Sequence, residues 1–385
     1  MLAIVTSHPI QYQAPLWRAL VAAGVKFEVW FLTPHAVKPS YDREFGQTFA
    51  WDADLLAGYP HRFLPVQPGW RLDRFRGIKL SRTWSTLFSE SKVHSLWLEG
   101  WRFYVLWQAA NTAHDMGVKL LLRGETNDLQ PRHGPAAWLR SSLLRRHFKQ
   151  FDHFLTIGTA NRRFYVKHNV NPAKMVSAPY AVDNDRFASL VKVASETKLE
   201  WRQKHGISPT AIVPLFCGKL IDKKRPQDVI AAAAIWQNNG GPPLHLLFAG
   251  DGNLRALVER QLKEAGVAGT LLGFVNQSEL PEVYAASDLL VLPSDHGETW
   301  GLVVNEAMAA GLPCAVSDHC GCAEDLVYPV DPARVAPCGD VNLLAKAMGS
   351  CLEHRPHEDQ MIRSIMERHH PITTAENVAG LSLGE

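Results

Sequence analysis

The chain has 385 residues, of which 46% are hydrophobic and 20% are charged, and its formal net charge is +2. This length exceeds that of the usual single domain, so we expect two domains. The small net charge argues against a bulk polyanion such as nucleic acid as a partner. We expect neither a signal peptide nor a transmembrane span, because no apolar run has the required length. Six scattered cysteines favour reduced thiols in a cytoplasmic protein over a disulfide framework.

Short apolar runs alternate with stretches of helical periodicity. In the first half, strands are predicted at 2–6, 27–32, 62–66, 93–98, 119–122 and 154–157, and helices at 14–23 and 103–116. In the second half, strands are predicted at 212–217, 244–249, 270–274, 289–292 and 314–317, and helices at 195–205, 227–237, 253–265, 277–286 and 302–310. This alternation predicts an α/β fold with parallel, doubly wound sheets and a domain boundary near 178–187.

Three polar residues of the first half follow predicted strands. His8 lies after strand 2–6, and Arg123 and Glu125 lie after strand 119–122. Open α/β sheets bind ligands at the carboxyl ends of their strands, so all three are candidates for contact with a ligand. The alternative for Arg123 and Glu125 is a buried ion pair that only holds the loop.

The predicted helix 136–150 combines apolar and basic side chains. The apolar set is Trp138, Leu139, Leu143, Leu144 and Phe148, and the basic set is Arg140, Arg145, Arg146, His147 and Lys149. Such a helix can lie on an anionic membrane surface, where each basic residue contributes about 1 kcal/mol. Packing against the N-terminal sheet is the favoured interpretation, since a strand follows directly. Peripheral membrane contact remains an open alternative.

The stretch 293–311 is the most informative part of the sequence. It follows a buried strand and contains a polar turn and a helix of small and apolar residues. Glu298 precedes the helix and Glu306 lies inside it. The free amides at the start of such a helix favour an anion, while carboxylates accept hydrogen bonds from hydroxyl groups. Gly301 lets the backbone approach a ligand closely.

One cluster suggests a metal, namely His319 with Cys320 and Cys322. No second pair of Cys or His has the spacing of a zinc site. We therefore expect no metal site.

The pair Glu298 and Glu306, with seven residues between them, resembles the paired-glutamate motif of the family 4 glycosyltransferases, and the match continues through residues 301–313. The resemblance implies the GT-B fold, in which two Rossmann-like domains face each other across a cleft. It predicts an acceptor-binding domain at 1–182, a nucleotide-sugar-binding domain at 183–355, and a helical tail at 356–385 that packs back on the first domain.

The resemblance also implies roles for individual residues. Lys219 and Lys224 would neutralise the departing diphosphate, and Glu298 would hold the hydroxyls of the donor sugar. Further donor-binding positions are Gly218, Gly250, Val275, Thr299, Trp300, Gly301, Leu302 and, for the ribose diol, Glu306. Three features depart from the family pattern. Lys219 replaces the usual arginine, which loses the guanidinium fork. His8 and residues 9–11 stand where many relatives have a glycine-rich turn, and Arg123 and Glu125 stand where relatives commonly have a histidine. The resemblance makes His8, Arg123 and Glu125 candidates for the acceptor side.

The implied protein is a retaining hexosyltransferase. It would move a hexosyl group from a nucleotide diphosphate sugar, with UDP favoured, to a hydroxyl of a glycan or lipid-linked acceptor. The setting would be polysaccharide, lipopolysaccharide or other glycan biosynthesis, in the cytoplasm or peripherally on the inner face of the cell membrane. No cofactor and no metal are expected, because the lysines neutralise the diphosphate. Two alternatives remain open: a catalytically inactive nucleotide-sugar-binding subunit, and an epimerase or phosphorylase with the same fold.

Overall fold

The computed structural model describes residues 1–35, 37, 40–42, 47–49, 52, 54–130, 133–353 and 358–381. The chain forms two compact units. The first unit contains Met1–Pro39, Asp54–Tyr180 and Pro371–Glu385, and the second contains Ser40–Ala53 and Ala181–His370.

The elements up to residue 180 alternate between strands and helices. In chain order they are β1 Leu2–Thr6, α1 Ala14–Ala22, β2 Phe27–Phe31, β3 Ser40–Asp42, β4 Gln47–Phe49, β5 His61–Phe63, α2 Trp84–Glu90, β6 Ser95–Glu99, α3 Tyr104–Asp115, β7 Lys119–Arg123, α4 Pro135–Phe148, β8 His153–Thr156, α5 Thr159–Lys167 and β9 Met175–Ser177. Strands β3 and β4 pair antiparallel and belong to the second unit.

The first unit is built on one parallel sheet with the strand order β5-β2-β1-β6-β7-β8-β9. All five residues of β1 are buried, as expected for a strand that helices cover on both faces. The largest buried side chains include Trp17, Trp30 and Trp97, which fill the space between sheet and helices. The strand order reverses between β1 and β6, so the loops after these two strands flank the switch point of this sheet.

The second unit continues the alternation. Its elements are α6 Asn184–Ala194, α7 Lys198–Lys204, β10 Pro214–Cys217, α8 Pro226–Asn238, β11 Leu246–Ala249, α9 Arg255–Ala265, β12 Gly269–Gly273, α10 Leu280–Ala286, β13 Leu289–Leu292, α11 Leu302–Ala309, β14 Cys314–Ser317, β15 Val335–Ala336, α12 Val341–Cys351 and α13 Glu358–Arg368. Helix α14, Pro371–Ala379, follows and belongs to the first unit.

The sheet of the second unit is parallel, with the strand order β12-β11-β10-β13-β14-β15. Strands β10, β11, β13 and β14 are buried along their whole length. The order reverses between β10 and β13, which pair directly through Leu215 and Leu290. The loops that leave these two strands therefore flank the switch point at the carboxyl edge, where sheets of this kind bind ligands.

The two C-terminal helices pack on different units. Helix α13 contacts α11 within the second unit, and Asn184 Nδ2 donates to the carbonyl oxygens of Met366 and His369, both at 3.1 Å. Helix α14 contacts α1 within the first unit, and Thr374 Oγ1 donates to Pro179 O at 3.4 Å. Of the predicted tail, residues 356–357 and 382–385 lie outside the described residues. The roles assigned to the domains and the tail stay predictions.

No helix within the described ranges combines the length and the apolar character that crossing a bilayer requires.

Candidate functional site

Two loops meet at the switch point of the second sheet. The first follows β10 and runs from Gly218 to a short 3₁₀ turn at Asp222–Lys224. The second follows β13 and leads to helix α11. Asp295 N donates to Lys223 O at 2.7 Å, which joins the two loops through their backbones.

Lys224 and Glu298 form an ion pair at this junction. The Lys224 ammonium donates to Glu298 Oε2, and only 14% and 13% of the two side chains are exposed. Ser294 Oγ donates to the same carboxylate oxygen at 3.1 Å. Burial opposes the charge of Lys224, but the Glu298 carboxylate more than offsets it, and the pKa of Lys224 is raised. The site therefore holds a charged lysine and a carboxylate side by side, each able to exchange the other for a ligand group.

Glu306 is buried in α11. Tyr284 donates its hydroxyl to Glu306 Oε2 at 2.7 Å. Burial raises the pKa of Glu306 to about 7, while the hydrogen bond from Tyr284 and the charge of Arg186 act in the opposite direction. Arg186 is held close by a hydrogen bond from its Nη2 to Gln277 O at 2.9 Å. Near neutral pH, Glu306 is thus divided between its acid and its carboxylate.

Gly301 directly precedes α11 and has φ = +108°, a backbone angle that strains any other residue. A Cβ on this residue would also be tightly packed, 3.0 Å from Leu292 Cδ2 and 3.3 Å from Cys322 Sγ. Glycine carries no capping side chain, and the helix dipole adds partial positive charge at this end. Trp300 is buried and donates from Nε1 to Asn305 Oδ1 at 2.7 Å. The indole of Trp300 is therefore held inside the protein.

Residues 320–322 pack against the loop that carries Glu298 and hold it through backbone hydrogen bonds. Gly321 N donates to Glu298 O at 3.2 Å and Cys322 N to Trp300 O at 3.0 Å. A Cβ on Gly321 would lie 1.9 Å from Thr299 O. Burial raises the pKa of the Cys320 thiol to about 12, so this thiol is neutral and faces the interior. The motif of two cysteines around a glycine packs beneath the Glu298 loop.

The glycines after β10 and β11 allow two backbones to touch. A Cβ on Gly250 would lie 1.9 Å from Gly218 O, and Gly250 N donates to Gly273 O at 2.7 Å. Lys219 and Val275 are half-buried near these turns. The donor-binding roles of these four positions, Gly218, Lys219, Gly250 and Val275, stay predictions.

In the first unit, Arg123 pairs with Glu99 rather than with Glu125. Arg123 is buried, lies 3.8 Å from Glu99 Oε1, and donates to the carbonyl oxygens of Ala178 and Pro179. Burial raises the pKa of Glu99 to about 7. This arrangement ties the end of β7 to the segment that leaves the first unit.

Glu125 instead accepts hydrogen bonds from two tyrosines, Tyr12 at 3.2 Å and Tyr180. The two tyrosine rings meet edge to face, with centroids 5.4 Å apart. Glu125 is half-buried and remains an acceptor-side candidate.

His8 lies in the turn after β1, as predicted. Its Nδ1 is 2.8 Å from Ser7 Oγ, and its ring meets His35 edge to face at 5.1 Å. Burial, with smaller contributions from His35 and Arg102, lowers the pKa of His8 to about 4. The imidazole is therefore neutral at physiological pH and can accept or donate a single hydrogen bond.

Several residues around the candidate positions carry no sequence signal of their own. In the second unit they are Tyr284, Arg186 and Gln277 around Glu306 and Ser294 beside Glu298. In the first unit they are Tyr12, Tyr180 and Glu99 around the Arg123 and Glu125 loop. Contacts between distant elements within each unit, rather than local patterns, bring them to these positions.

Comparison with known proteins relates the second unit to glycosyltransferases. Residues 197–368 match the family model described as glycosyl transferases, group 1. The chain is 30% identical over 171 residues to a 2-deoxystreptamine N-acetyl-D-glucosaminyltransferase of Streptomyces fradiae, with 44% of this chain and 40% of the relative covered. It is 27% identical over 220 residues to a GDP-mannose-dependent alpha-(1-6)-phosphatidylinositol dimannoside mannosyltransferase of Mycobacterium tuberculosis, with 56% and 49% covered. The chain thus spans less than half of each of these two curated relatives.

The whole structure is similar to that of HepE from Anabaena, solved in complex with UDP and glucose. The TM-score is 0.69 at 16% sequence identity, and 98% of each chain is covered. Similarity at this identity shows the fold and leaves the activity open. The chain therefore has the α/β fold of the GT-B glycosyltransferases, and its residues 197–368 carry the sequence pattern of the group 1 glycosyl transferases.

Proposed function

We propose that the protein is a retaining glycosyltransferase that moves a hexosyl group from a nucleotide diphosphate sugar to an acceptor hydroxyl. The observation that carries the proposal is the Lys224–Glu298 ion pair beside the N-terminus of α11. The ammonium suits a diphosphate, and the carboxylate suits sugar hydroxyls. When the donor binds, Lys224 and Glu298 would give up their contact with each other. Lys224 would then bind the diphosphate, and Glu298 would bind the sugar hydroxyls.

The chemical step needs a good leaving group more than a strong base. The bond from the anomeric carbon to the phosphate oxygen breaks, and its electron pair leaves with the nucleoside diphosphate. Lys219 and Lys224, with the α11 dipole, would stabilise that charge. The acceptor oxygen bonds to the anomeric carbon on the face that the leaving group vacates, and its proton passes to the departing phosphate. Glu298 holds the sugar and does not act as a nucleophile.

Glu306 would bind the ribose diol through its carboxylate. Both hydroxyls of a diol can donate to one carboxylate, which offers acceptors only. Because the pKa of Glu306 is about 7, we expect donor binding to strengthen as the pH rises through neutrality. The same binding would release protons near pH 7.

UDP is the favoured nucleotide, supported by the UDP in the similar HepE structure, although the mycobacterial relative is named as GDP-mannose-dependent. The lysines would serve in place of a metal ion for the diphosphate.

The acceptor is proposed to be a glycan or a lipid-linked glycan, bound on the first unit near His8, Arg123 and Glu125. Both alternatives would use the same donor site. An inactive nucleotide-sugar-binding subunit would bind the donor without turnover, and an epimerase or phosphorylase would catalyse a different reaction.

We further propose that α4 contacts an anionic membrane surface. The C-terminal part of the helix packs into the core through Leu144, His147 and Phe148. Its outer face leaves three large apolar side chains exposed, Trp138 at 72%, Leu139 at 55% and Leu143 at 53%. The basic residues Arg145 and Arg146 are exposed on the same helix, and Lys149 is exposed directly after it. Exposed apolar residues beside basic ones are typical of a helix that lies in a lipid interface.

A thermal-shift screen in EDTA tests the donor site. The ligands are UDP, GDP, ADP, dTDP and their hexose conjugates. A ligand that binds only the native state raises its stability by mass action. We expect one nucleotide to raise the Tm of the wild type, and we expect Glu306→Ala to lose that response. A complete lack of response, with EDTA and with added Mg²⁺, would contradict the donor site.

A further inference from the structure

Three adjacent parallel strands each deliver one metal-ligating side chain to the carboxyl edge of the second sheet. Asp295 follows β13, His319 follows β14, and Cys338 follows β15. A carboxylate oxygen, a ring nitrogen and the thiol sulfur of these residues all lie within 4.8 Å of one another. His319 Nδ1 and Asp295 Oδ1 are 3.1 Å apart. We infer that these three residues form a transition-metal site, best suited to Zn²⁺.

The donor set fits Zn²⁺ better than a hard cation. Nitrogen, sulfur and carboxylate ligands at about 2.0–2.3 Å from the ion are those of tetrahedral zinc, whereas Mg²⁺ and Ca²⁺ take oxygen ligands. Small side-chain movements would bring the three donor atoms to the separations of a tetrahedral site. Three protein ligands leave a fourth position for water.

The surroundings hold the three ligands in place. Cys338 N donates to Asp318 Oδ1 at 2.9 Å, which fixes the backbone of the cysteine. His296 stacks on the His319 ring with centroids 3.8 Å apart, which restricts rotation of that ring. Outer partners of this kind tune metal sites.

The Arg225 guanidinium lies near the cluster. Arg225 Nη1 is 3.8 Å from Asp295 Oδ2, but Arg225 is already engaged by Asp228, with Nε 2.6 Å from Oδ2 and Nη2 3.2 Å from Oδ1. The carboxylate of Asp318 adds further negative charge beside the three ligands. A divalent cation therefore enters a region where carboxylates outnumber the guanidinium.

The sequence suggests a metal only through His319 with Cys320 and Cys322, and the structure turns both of those cysteine side chains into the core. The cysteine that reaches His319 is Cys338, which lies 19 residues further along the chain and is only half-buried.

A metal at this position would act on the loop that carries Glu298. Asp295 lies three residues before Glu298, and its backbone binds the Lys223 carbonyl. The bound ion would link the ends of β14 and β15 to this loop and restrict its movement. The inference does not rest on the proposed function.

Co²⁺ spectroscopy on the reduced full-length protein tests the site. We expect visible d–d bands and a near-ultraviolet thiolate-to-Co²⁺ band, both bleached by Zn²⁺. Cys338→Ser should lose the near-ultraviolet band. Asp295→Asn and His319→Ala should weaken Zn²⁺ binding by more than about tenfold, since the loss of even an outer partner can have that effect. His205→Ala is the matched control, because His205 stacks on Trp201 with centroids 3.8 Å apart and lies outside the cluster.

The folding of each variant is checked by its Tm in EDTA. The site would be established if Cys338→Ser has the same Tm in EDTA as the wild type but lacks the thiolate band. Absence of the thiolate band from the wild type would overturn the inference. Zn²⁺ affinity unchanged in both Asp295→Asn and His319→Ala would also overturn it, because the ion would then bind elsewhere on the chain.

Discussion

Replacing Glu306 by glutamine should make the second unit more stable at alkaline pH while it weakens nucleotide binding. Glu306 has an ordinary pKa of 4.5 and a pKa of about 7 in the folded protein, chiefly because it is buried. The folded state therefore holds its proton more tightly than the unfolded state does. The stability of the wild type falls as the pH rises from about 4.5 to about 7, and this contribution is constant above that.

The size of the effect follows from the shift. Each unit of pKa corresponds to about 1.4 kcal/mol, so the rise from 4.5 to about 7 amounts to between about 3 and 4 kcal/mol at most. For a folding unit of about 200 residues, that corresponds to roughly 6–16 °C in Tm at most. Glutamine has no charge to desolvate, and its amide oxygen can still accept the hydroxyl of Tyr284. Glu99 has a similarly raised pKa, but it is present in both proteins and cancels from the comparison.

The assay compares the Tm of Glu306→Gln with that of the wild type at pH 5 and at pH 8. We expect the Tm difference, variant minus wild type, to become more positive by several degrees between these two values. A difference that is the same at both pH values would refute the reasoning, because Glu306 would then not titrate in this range.

Two further predictions concern the loop support and the exposed helix. Gly321→Ala should lower the Tm of the protein by several degrees, because its Cβ would meet Thr299 O, while Gly380→Ala, where the nearest atom is 3.5 Å away, should change it little. Trp138→Ser with Leu143→Ser should reduce binding to vesicles that contain anionic lipid in a sedimentation assay. Equal sedimentation of variant and wild type would exclude α4 as the contact.

The second sheet and its strand-end loops are predictable because buried strands and helix starts leave local patterns. The predicted strand at 289–292 and the observed β13 coincide, and the following loop places Glu298 ahead of α11. Gly301 directly precedes that helix and has a positive φ, which glycine adopts without steric cost. A glycine at the predicted helix start suggests such a turn from the sequence alone.

Other features depend on packing between distant segments, which no local pattern records. The ion pair between Lys224 and Glu298 joins residues 74 positions apart. Helix α5 carries a mixed set of basic and apolar residues, and the sequence pattern does not predict it. The apolar residues of α4 divide between core and surface, although the sequence shows them as one set, because only the C-terminal part packs against the sheet.

Calorimetry with the nucleoside diphosphate identified by the thermal-shift screen, in EDTA, tests the central claim most directly. The comparison is Lys224→Met with Lys223→Met, since the neighbouring Lys223 is exposed and contributes its backbone carbonyl to the loop junction. A hydrogen bond to a charged group contributes about 1.5–3 kcal/mol, so Lys224→Met should weaken binding by more than about tenfold. Lys223→Met should bind as the wild type does. Equal affinity of Lys224→Met and the wild type would contradict the proposed donor site.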